Sequence, residues 1–189
     1  IFTAILFVTL GFAQVSLEIK NVDLTTSTLD IYMTNTAGCS YCADSTYNNN
    51  SDTDWTWVDK KNYCELSSGG DTTWIAHESM TQQDCSAVPS LTGNGGWWFD
   101  GLVGGFQFQI LGATVTDATG GSASDLDFNV SSTSDDPLTT GTHGIPNVLA
   151  FSLTGATIPI GSNVLLTQIT FTDFNNSDIC FGGDTGSAG

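Results

Sequence analysis

The stretch GGFQFQI, residues Gly104–Ile110, alternates large apolar and polar side chains with a period of two. In an extended chain this spacing places Phe106, Phe108 and Ile110 on one face and the two glutamines on the other. Such a pattern is typical of a β-strand with one face on a core and one face toward water. The stretch therefore predicts a β protein.

Similar runs lie on both sides of this stretch, separated by Gly, Ser, Asn, Asp and Pro. Many short strands at this spacing predict a sandwich or a barrel. The runs are VSLEIK (15–20), TLDIYMT (28–34), ATVTDA (113–118), LDFNV (126–130), NVLAFSL (147–153), ATIPI (156–160) and NVLLTQITFTDF (163–174). Their apolar phases predict a core of Phe106, Phe108, Ile110, Leu149, Phe151, Leu153, Leu166 and Ile169.

Residues 39–96 have a different composition, rich in Cys, Trp, Asn and Asp, and only DWTWVD (54–59) resembles a strand. We predict an insertion held by two disulfides among Cys39, Cys42, Cys64 and Cys85. Zinc is the alternative, although Cys64 and Cys85 lack the second CxxC pair that a zinc ribbon shows. Four cysteines allow three pairings, which the sequence leaves open, and Cys180 has no assigned partner.

The charge is strongly acidic, with 20 acidic residues against three lysines, no arginine and a net charge of -17. Binding to nucleic acid or to anionic lipid requires a basic face, so both are excluded as partners, and we expect no membrane association of the mature form. Charged residues make up only 12% of the chain. A surface built mostly from Thr, Ser, Asn and Gly favours an extracellular or cell-surface location.

The segments VGGFQFQILGATVTDATGG (103–121) and VLAFSLTGATIPIGSNVLLTQITFTDF (148–174), followed by DICF (178–181), resemble cohesin-like secreted modules. These are similar in turn to the sandwiches of carbohydrate-binding modules. The resemblance implies an all-β, Ig-like or cohesin-like antiparallel β-sandwich over 15–189, interrupted by the insertion at 39–96. It transfers no functional residue. Such modules usually continue into one more strand, so either the final strand of this sandwich is missing or another strand takes its place.

The first fourteen residues, IFTAILFVTLGFAQ, have two interpretations. Their apolarity and the small residues near Ala13 are typical of a signal peptide. As a retained segment, they would need burial, and their strand-forming residues favour an extended conformation. We take the second interpretation as the prediction: a strand that completes a neighbouring subunit's sandwich. The residues assigned to this assembly strand are Ile1, Ile5, Phe7, Thr9 and Phe12.

Catalytic and metal-binding patterns are sparse, and we predict neither an enzyme nor a cofactor. The histidines are His77 and His143, and HESMT at His77 lacks the second histidine of a metalloprotease helix. Glu18, Glu65 and Glu78 form no local carboxylate pair. Calcium is the one ion that the acidic loops could hold, at Asp52/Asp54 or Asp125/Asp127, but no EF-hand loop is present and solvated carboxylates are the preferred interpretation.

Two features point to carbohydrate. Exposed aromatic rings can stack on sugars, although buried anchors are the preferred interpretation of these tryptophans. The tryptophans considered are Trp55, Trp57, Trp97 and Trp98. Asn-x-Ser sequons, which accept N-linked glycans, occur at Asn49, Asn129 and Asn175.

Taken together, these features favour a structural protein: a subunit of an extracellular filament or surface adhesin, polymerised with copies of itself into a linear or helical homopolymer by strand exchange. A head-to-tail contact of this kind does not close on itself and so generates a fibre. The alternative is a secreted carbohydrate-binding module that uses the tryptophans.

Overall fold

The computed structural model describes residues 14–48, 57–67, 69–91, 93–133, 147–174 and 178–182. Strands account for 48% of the structure and form antiparallel sheets, with few helices, so the chain is mainly β. The chain divides into two compact units. We call the described parts of 16–34 and 103–182 the β unit, and those of 14–15 and 35–102 the disulfide unit.

The elements are numbered in chain order along the described residues. They are β1 (Val15–Asp23), β2 (Thr28–Asn35), β3 (Gly38–Cys42), α1 (Trp57–Ser67), β4 (Trp74–His77), α2 (Gln82–Ser86), β5 (Pro89–Ser90), β6 (Gly93–Asn94), β7 (Trp97–Phe99), β8 (Gly105–Phe108), β9 (Ile110–Leu111), β10 (Thr114–Thr119), α3 (Gly121–Asp125), β11 (Asn129–Ser132), β12 (Val148–Phe151), β13 (Gly161–Thr172) and β14 (Cys180–Phe181).

The β unit contains a four-stranded sheet in the order β1-β2-β13-β10 and a three-stranded sheet in the order β11-β12-β8, with β14 paired to β9. Alternate residues of β2 are buried, as its period-two pattern predicts. The strands predicted around Gly104–Ile110 and 163–174 are confirmed, whereas ATIPI contributes only an isolated bridge at Ile158. The buried apolar side chains include Leu29, Ile31, Met33, Phe106, Phe108, Ile110, Val115, Val148, Ala150, Leu166, Ile169 and Phe171.

The predicted core is wrong along β12. Leu149 and Phe151 are 41% and 40% exposed, and Leu153 beyond the strand is 75% exposed. Residues of both phases are apolar here, so periodicity could not choose the buried face. The register pairs Val148 with Phe108 and Ala150 with Phe106. The small residues therefore share the inner face with the phenylalanines, and the larger ones project outward.

Asn147 extends the pairing of β12 beyond the end of β8. Its side chain accepts a hydrogen bond from Ile110 N at 2.9 Å and donates one to Ile110 O at 3.0 Å. The carboxamide thus does for Ile110 what a backbone peptide group does in a ladder. Asn147 is buried, and these bonds satisfy both polar atoms of its side chain.

The disulfide unit is built on a three-stranded sheet, with β3 between β4 and β7. Two disulfides fasten β3 to the helices: Cys39 to Cys85 of α2, and Cys42 to Cys64 of α1. Of the three pairings that the sequence left open, this is the one formed. The expected strand at DWTWVD is wrong over its described part, because Trp57 is the first residue of α1.

The disulfide unit also has a small core of its own, which the sequence did not lead us to expect. Cys39, Cys85 and Val88 are buried together. The partly buried side chains that pack against them are Tyr41, Met80 and Trp98.

Candidate functional site

Within the described residues, the edge of β8 that faces away from β12 has no paired strand. Phe108 O accepts from Asn147 N at 3.1 Å, and Gly104 O accepts from Ser152 N at 3.2 Å, so even-numbered residues direct their polar backbone groups toward β12. Gln109 O faces the other way and accepts from Gly182 N at 2.8 Å. Because the orientation alternates along an extended strand, Gly105 and Gln107 also face away from β12.

The residues before Gly182 run beside this edge and show where an added strand would lie. We call the continuation of their path beside Gln107 and Gly105 the lane. β14 runs antiparallel to β9, with Phe181 opposite Ile110, and Gly182 stands next to Gln109. The Phe181 ring meets the Phe108 ring edge-on, with centroids 5.8 Å apart. A strand continuing in this direction would pass Gln107 and then Gly105. Among the described residues, β8 is an edge strand and no strand fills that lane.

Two of the other edges carry features that discourage pairing with a second chain. The edge strand β1 has an ion pair between Glu18 and Lys20 at 2.6 Å. The edge strand β10 has a register shift between Val115 and Asp117, with Asp117 exposed. Charges and bulges are the usual protections of sheet edges, whereas β8 reads Gly-Phe-Gln-Phe and has neither.

The residues assigned to the predicted donor strand lie outside the described part of the chain, and the assignment stays a prediction. They are Ile1, Ile5, Phe7, Thr9 and Phe12.

Trp97 and Trp98, whose side chains the structure describes, do not form one platform. Trp97 and Trp98 are neighbours in β7, so they lie on opposite faces of the sheet. Trp98 packs against the buried Cys39–Cys85 cluster. Trp97 is half-buried, and Lys60 Nζ lies 5.1 Å from its ring centroid. Trp55 lies outside the described residues.

Of the three sequons, Asn129 lies in the described chain, while Asn49 and Asn175 lie outside it. Asn129 is the exposed first residue of β11 and stands directly opposite Phe151 of β12. Ser131, the hydroxyl residue of the sequon, is also exposed and stands opposite Leu149. These four side chains share the outer face of the sheet, because directly paired residues project to the same side.

Cys180 is a free thiol within the described residues and is half-buried beside β9. Burial raises the pKa of the Cys180 thiol, and the negative charge of Asp178 adds to the effect. A raised pKa keeps the thiol protonated and poorly nucleophilic.

The described acidic and histidine residues that were candidates for catalysis or metal binding do not form one cluster. Glu18 pairs with Lys20, Glu65 pairs with Lys61, and His77 lies within 3.4 Å of the Ser79 hydroxyl. In the described parts of the chain, no group of three His, Cys, Asp or Glu residues could hold a metal ion. The Asp125/Asp127 pair is exposed there, whereas Asp52, Asp54 and His143 fall outside.

No protein-family model, no curated protein and no solved structure matches this chain. No described helix is long and apolar enough to span a membrane.

Two features of these surfaces were missed from the sequence. The sequence pattern at 147–153 gave no sign that Asn147 would pair with Ile110, because that contact depends on residues 37 positions apart. The lane beside β8 depends on which strands pair, and periodicity does not report pairing.

Proposed function

We propose that this protein is a structural subunit of an extracellular filament or surface adhesin, polymerised by strand complementation. In this proposal residues 1–13 of one subunit add to the free edge of β8 in the next. The observation that carries it is the outward orientation of the polar backbone groups of Gly105 and Gln107, inferred from the bonds made by Phe108 and Gln109. The β unit is then an Ig-like or cohesin-like sandwich that receives one strand from its neighbour.

Composition favours residues 1–13 over residues 183–189 as the segment that adds to β8, and the proposal assigns this donor to a neighbouring molecule. Residues 183–189, GDTGSAG, consist mostly of Gly, Asp and Ser, which are depleted in strands. Residues 1–13 are rich in Ile, Phe, Val and Thr, which are enriched in strands. An apolar donor therefore competes well for a lane that begins where β14 ends.

The energy of such a joint comes from backbone hydrogen bonds and apolar burial together. Each Ile or Phe that moves from water into the acceptor contributes about 1.5–3 kcal/mol before the cost of ordering the strand. Several such side chains, joined to a row of main-chain hydrogen bonds, would give a durable contact. Since the donor and the acceptor are different surfaces, the contact is head-to-tail, and it builds a filament wherever the rotation between subunits does not close into a ring.

An extracellular location is part of the proposal. Two disulfides, Cys39–Cys85 and Cys42–Cys64, favour an oxidising compartment. The acidic surface, with a net charge of -17, favours solubility of the single subunit before assembly.

The test is electron microscopy and sedimentation of the purified full chain, of a chain lacking residues 1–13, and of an Ile5→Asp/Phe7→Asp double variant. We expect filaments from the full chain and folded monomers from the other two. Thr25→Asp, which adds a charge in the exposed turn after β1, is the matched control and should assemble normally. Identical filaments from the truncated chain, or a mature protein that lacks residues 1–13, would refute the proposal.

The alternative, a secreted carbohydrate-binding module, has less support. A sugar platform needs a free aromatic face, and Lys60 lies over the Trp97 ring while Trp98 packs on the disulfide core. A monomeric protein that binds insoluble polysaccharide, and loses that binding in a Trp97→Ala variant, would favour it.

A further inference from the structure

The outer face of the three-stranded sheet carries an apolar surface beside a glycan acceptor. Phe151 and Leu149 project from β12, the central strand, and are 40% and 41% exposed. Central strands usually present polar side chains on the face that meets water. Two large apolar side chains in this position therefore call for a covering group.

The neighbours of Phe151 in the sheet leave its side chain 40% exposed. On one side it is paired with Gly105 of β8, where an added Cβ would lie 2.9 Å from Ala150 O, so the position is restricted to glycine. On the other side it is paired with Asn129 of β11. Asn129 is thus the side chain in the same row that could bring a group over the ring.

Directly paired residues of antiparallel strands have Cβ atoms about 4.5–5.5 Å apart and project to the same side. A sugar attached to Asn129 Nδ2 would start at the edge of the Phe151 ring. The C–H face of a pyranose is apolar and stacks on aromatic rings, whereas its hydroxyl groups stay in water. A glycan of this kind covers the apolar surface and presents a polar one.

We propose that Asn129 carries an N-linked glycan whose first sugar packs on Phe151, with Leu149 at its border. The bond forms between Asn129 Nδ2 and the anomeric carbon of a lipid-linked oligosaccharide, delivered by an oligosaccharyltransferase. The lipid diphosphate leaves with the electron pair, and Nδ2 loses one proton. Ser131 supplies the hydroxyl residue that the sequon requires. This proposal does not depend on filament assembly.

The first test is occupancy. The full chain is expressed in a secretory host that attaches N-glycans, and the glycopeptides are mapped by mass spectrometry. We expect Asn129 to be occupied, and Ser131→Ala to abolish its occupancy while retaining the asparagine. An unoccupied Asn129 in protein that is glycosylated at Asn49 or Asn175 overturns the proposal.

The second test is the contact itself. The glycan is trimmed enzymatically to its first sugar, and the proton NMR signals of that sugar are recorded in the wild type and in Phe151→Leu, which keeps an apolar side chain but removes the ring. Stacking predicts upfield shifts of the sugar's C–H protons in the wild type that are lost in Phe151→Leu. Equal shifts in both proteins overturn the contact.

A stability comparison adds a third readout, on the wild type and Phe151→Leu, each with and without the glycan. With the sequon intact, removing the glycan should lower the Tm by about 2–4 °C, as expected for a protein of this size losing about 1 kcal/mol. In the Phe151→Leu background the same removal should have little effect. An equal loss of Tm in both backgrounds would contradict a role for the ring.

Discussion

Cys39 and Cys42 lie three residues apart in β3 and are bonded to different helices, Cys39 to α2 and Cys42 to α1. Because side chains alternate along a strand, this odd spacing places them on opposite faces of the sheet. Cys39 shares its face with Trp98 and His77, and Cys42 shares the other with Trp74. The CxxC spacing therefore fastens one helix to each face, and both sulfur pairs are committed to disulfides rather than to zinc.

The Cys39–Cys85 bond should contribute more to stability than the Cys42–Cys64 bond. The two bonds join residues 46 and 22 positions apart. Loop-closure entropy then assigns them about 4 and about 3.4 kcal/mol. Double Cys→Ser variants of each pair are compared by denaturant unfolding.

Tryptophan fluorescence is the right probe for this comparison, since all five tryptophans lie between residues 55 and 98. It reports the disulfide unit, while an unfolding signal from the β unit should stay near that of the wild type. A larger loss from the Cys42/Cys64 variant would contradict the assigned order.

Asn147→Ala should destabilise the β unit by about 2–4 kcal/mol, because it leaves Ile110 N and O without their partners in a buried place. Both variants are compared in unglycosylated protein, where Asn129→Ala, at an exposed position of the neighbouring strand, is the control and should change stability by less than about 0.5 kcal/mol. Urea unfolding followed by far-UV circular dichroism measures both. An Asn147→Ala loss no larger than that of the control would show that the carboxamide does not complete the ladder.

Phe108 and Phe151 should differ sharply on truncation. Phe108 is fully buried, so Phe108→Ala should cost about 3–5 kcal/mol, whereas Phe151→Ala in unglycosylated protein should cost less than about 1 kcal/mol. Urea unfolding followed by far-UV circular dichroism measures the loss of stability in both variants. Comparable losses would mean that β12 presents its other face to the core.

Cys180 should react slowly with alkylating reagents at neutral pH. Burial and the Asp178 charge raise the pKa of its thiol, so less thiolate is present at pH 7–8 than in an exposed cysteine. Asp178→Asn removes the second cause, so it lowers the pKa of the Cys180 thiol and should speed alkylation. Asp173→Asn, at a position farther from Cys180 in the sequence, is the control and should leave the rate unchanged. An alkylation rate for wild-type Cys180 equal to that of a fully exposed cysteine would contradict the raised pKa.

The raised pKa has a matching effect on stability. The folded state favours the neutral thiol, so this contribution is complete below the pKa of the unfolded chain and is lost as pH rises through the folded pKa. Stability should therefore decline on the alkaline side, and a Cys180→Ala variant should decline less over that range.

The sequence predicted those parts of the fold in which one strand face is apolar and the other polar. Phe106, Phe108 and Ile110 were assigned correctly because glutamines separate them. At 147–153 both phases are apolar, and the smaller Val148 and Ala150 occupy the core because the facing phenylalanines fill its volume. Periodicity carries no information on that choice.

The disulfide unit was the harder part to predict. The helix α1 carries charged and polar residues on most of its length and is held by Cys64 and by a Lys61–Glu65 pair. The sheet of β3, β4 and β7 joins segments more than thirty residues apart, so no local pattern announces it. The pairing of the cysteines depends on which strands form that sheet, so the sequence alone did not predict it.

Residues 1–13 are proposed to bind along β8, and hydrogen exchange at the backbone amide of Gln107 reports that binding. Hydrogen exchange is measured in the chain lacking residues 1–13, before and after addition of a synthetic peptide of those residues carrying a solubilising lysine tail. An Ile5→Asp/Phe7→Asp peptide is the control, and the Phe106 amide, which faces β12, is the internal reference. The account predicts exchange at Gln107 at least about tenfold slower with the wild-type peptide alone, equivalent to about 1.4 kcal/mol, with Phe106 unchanged. Unchanged exchange at Gln107, or protection that appears equally with the control peptide, would contradict it.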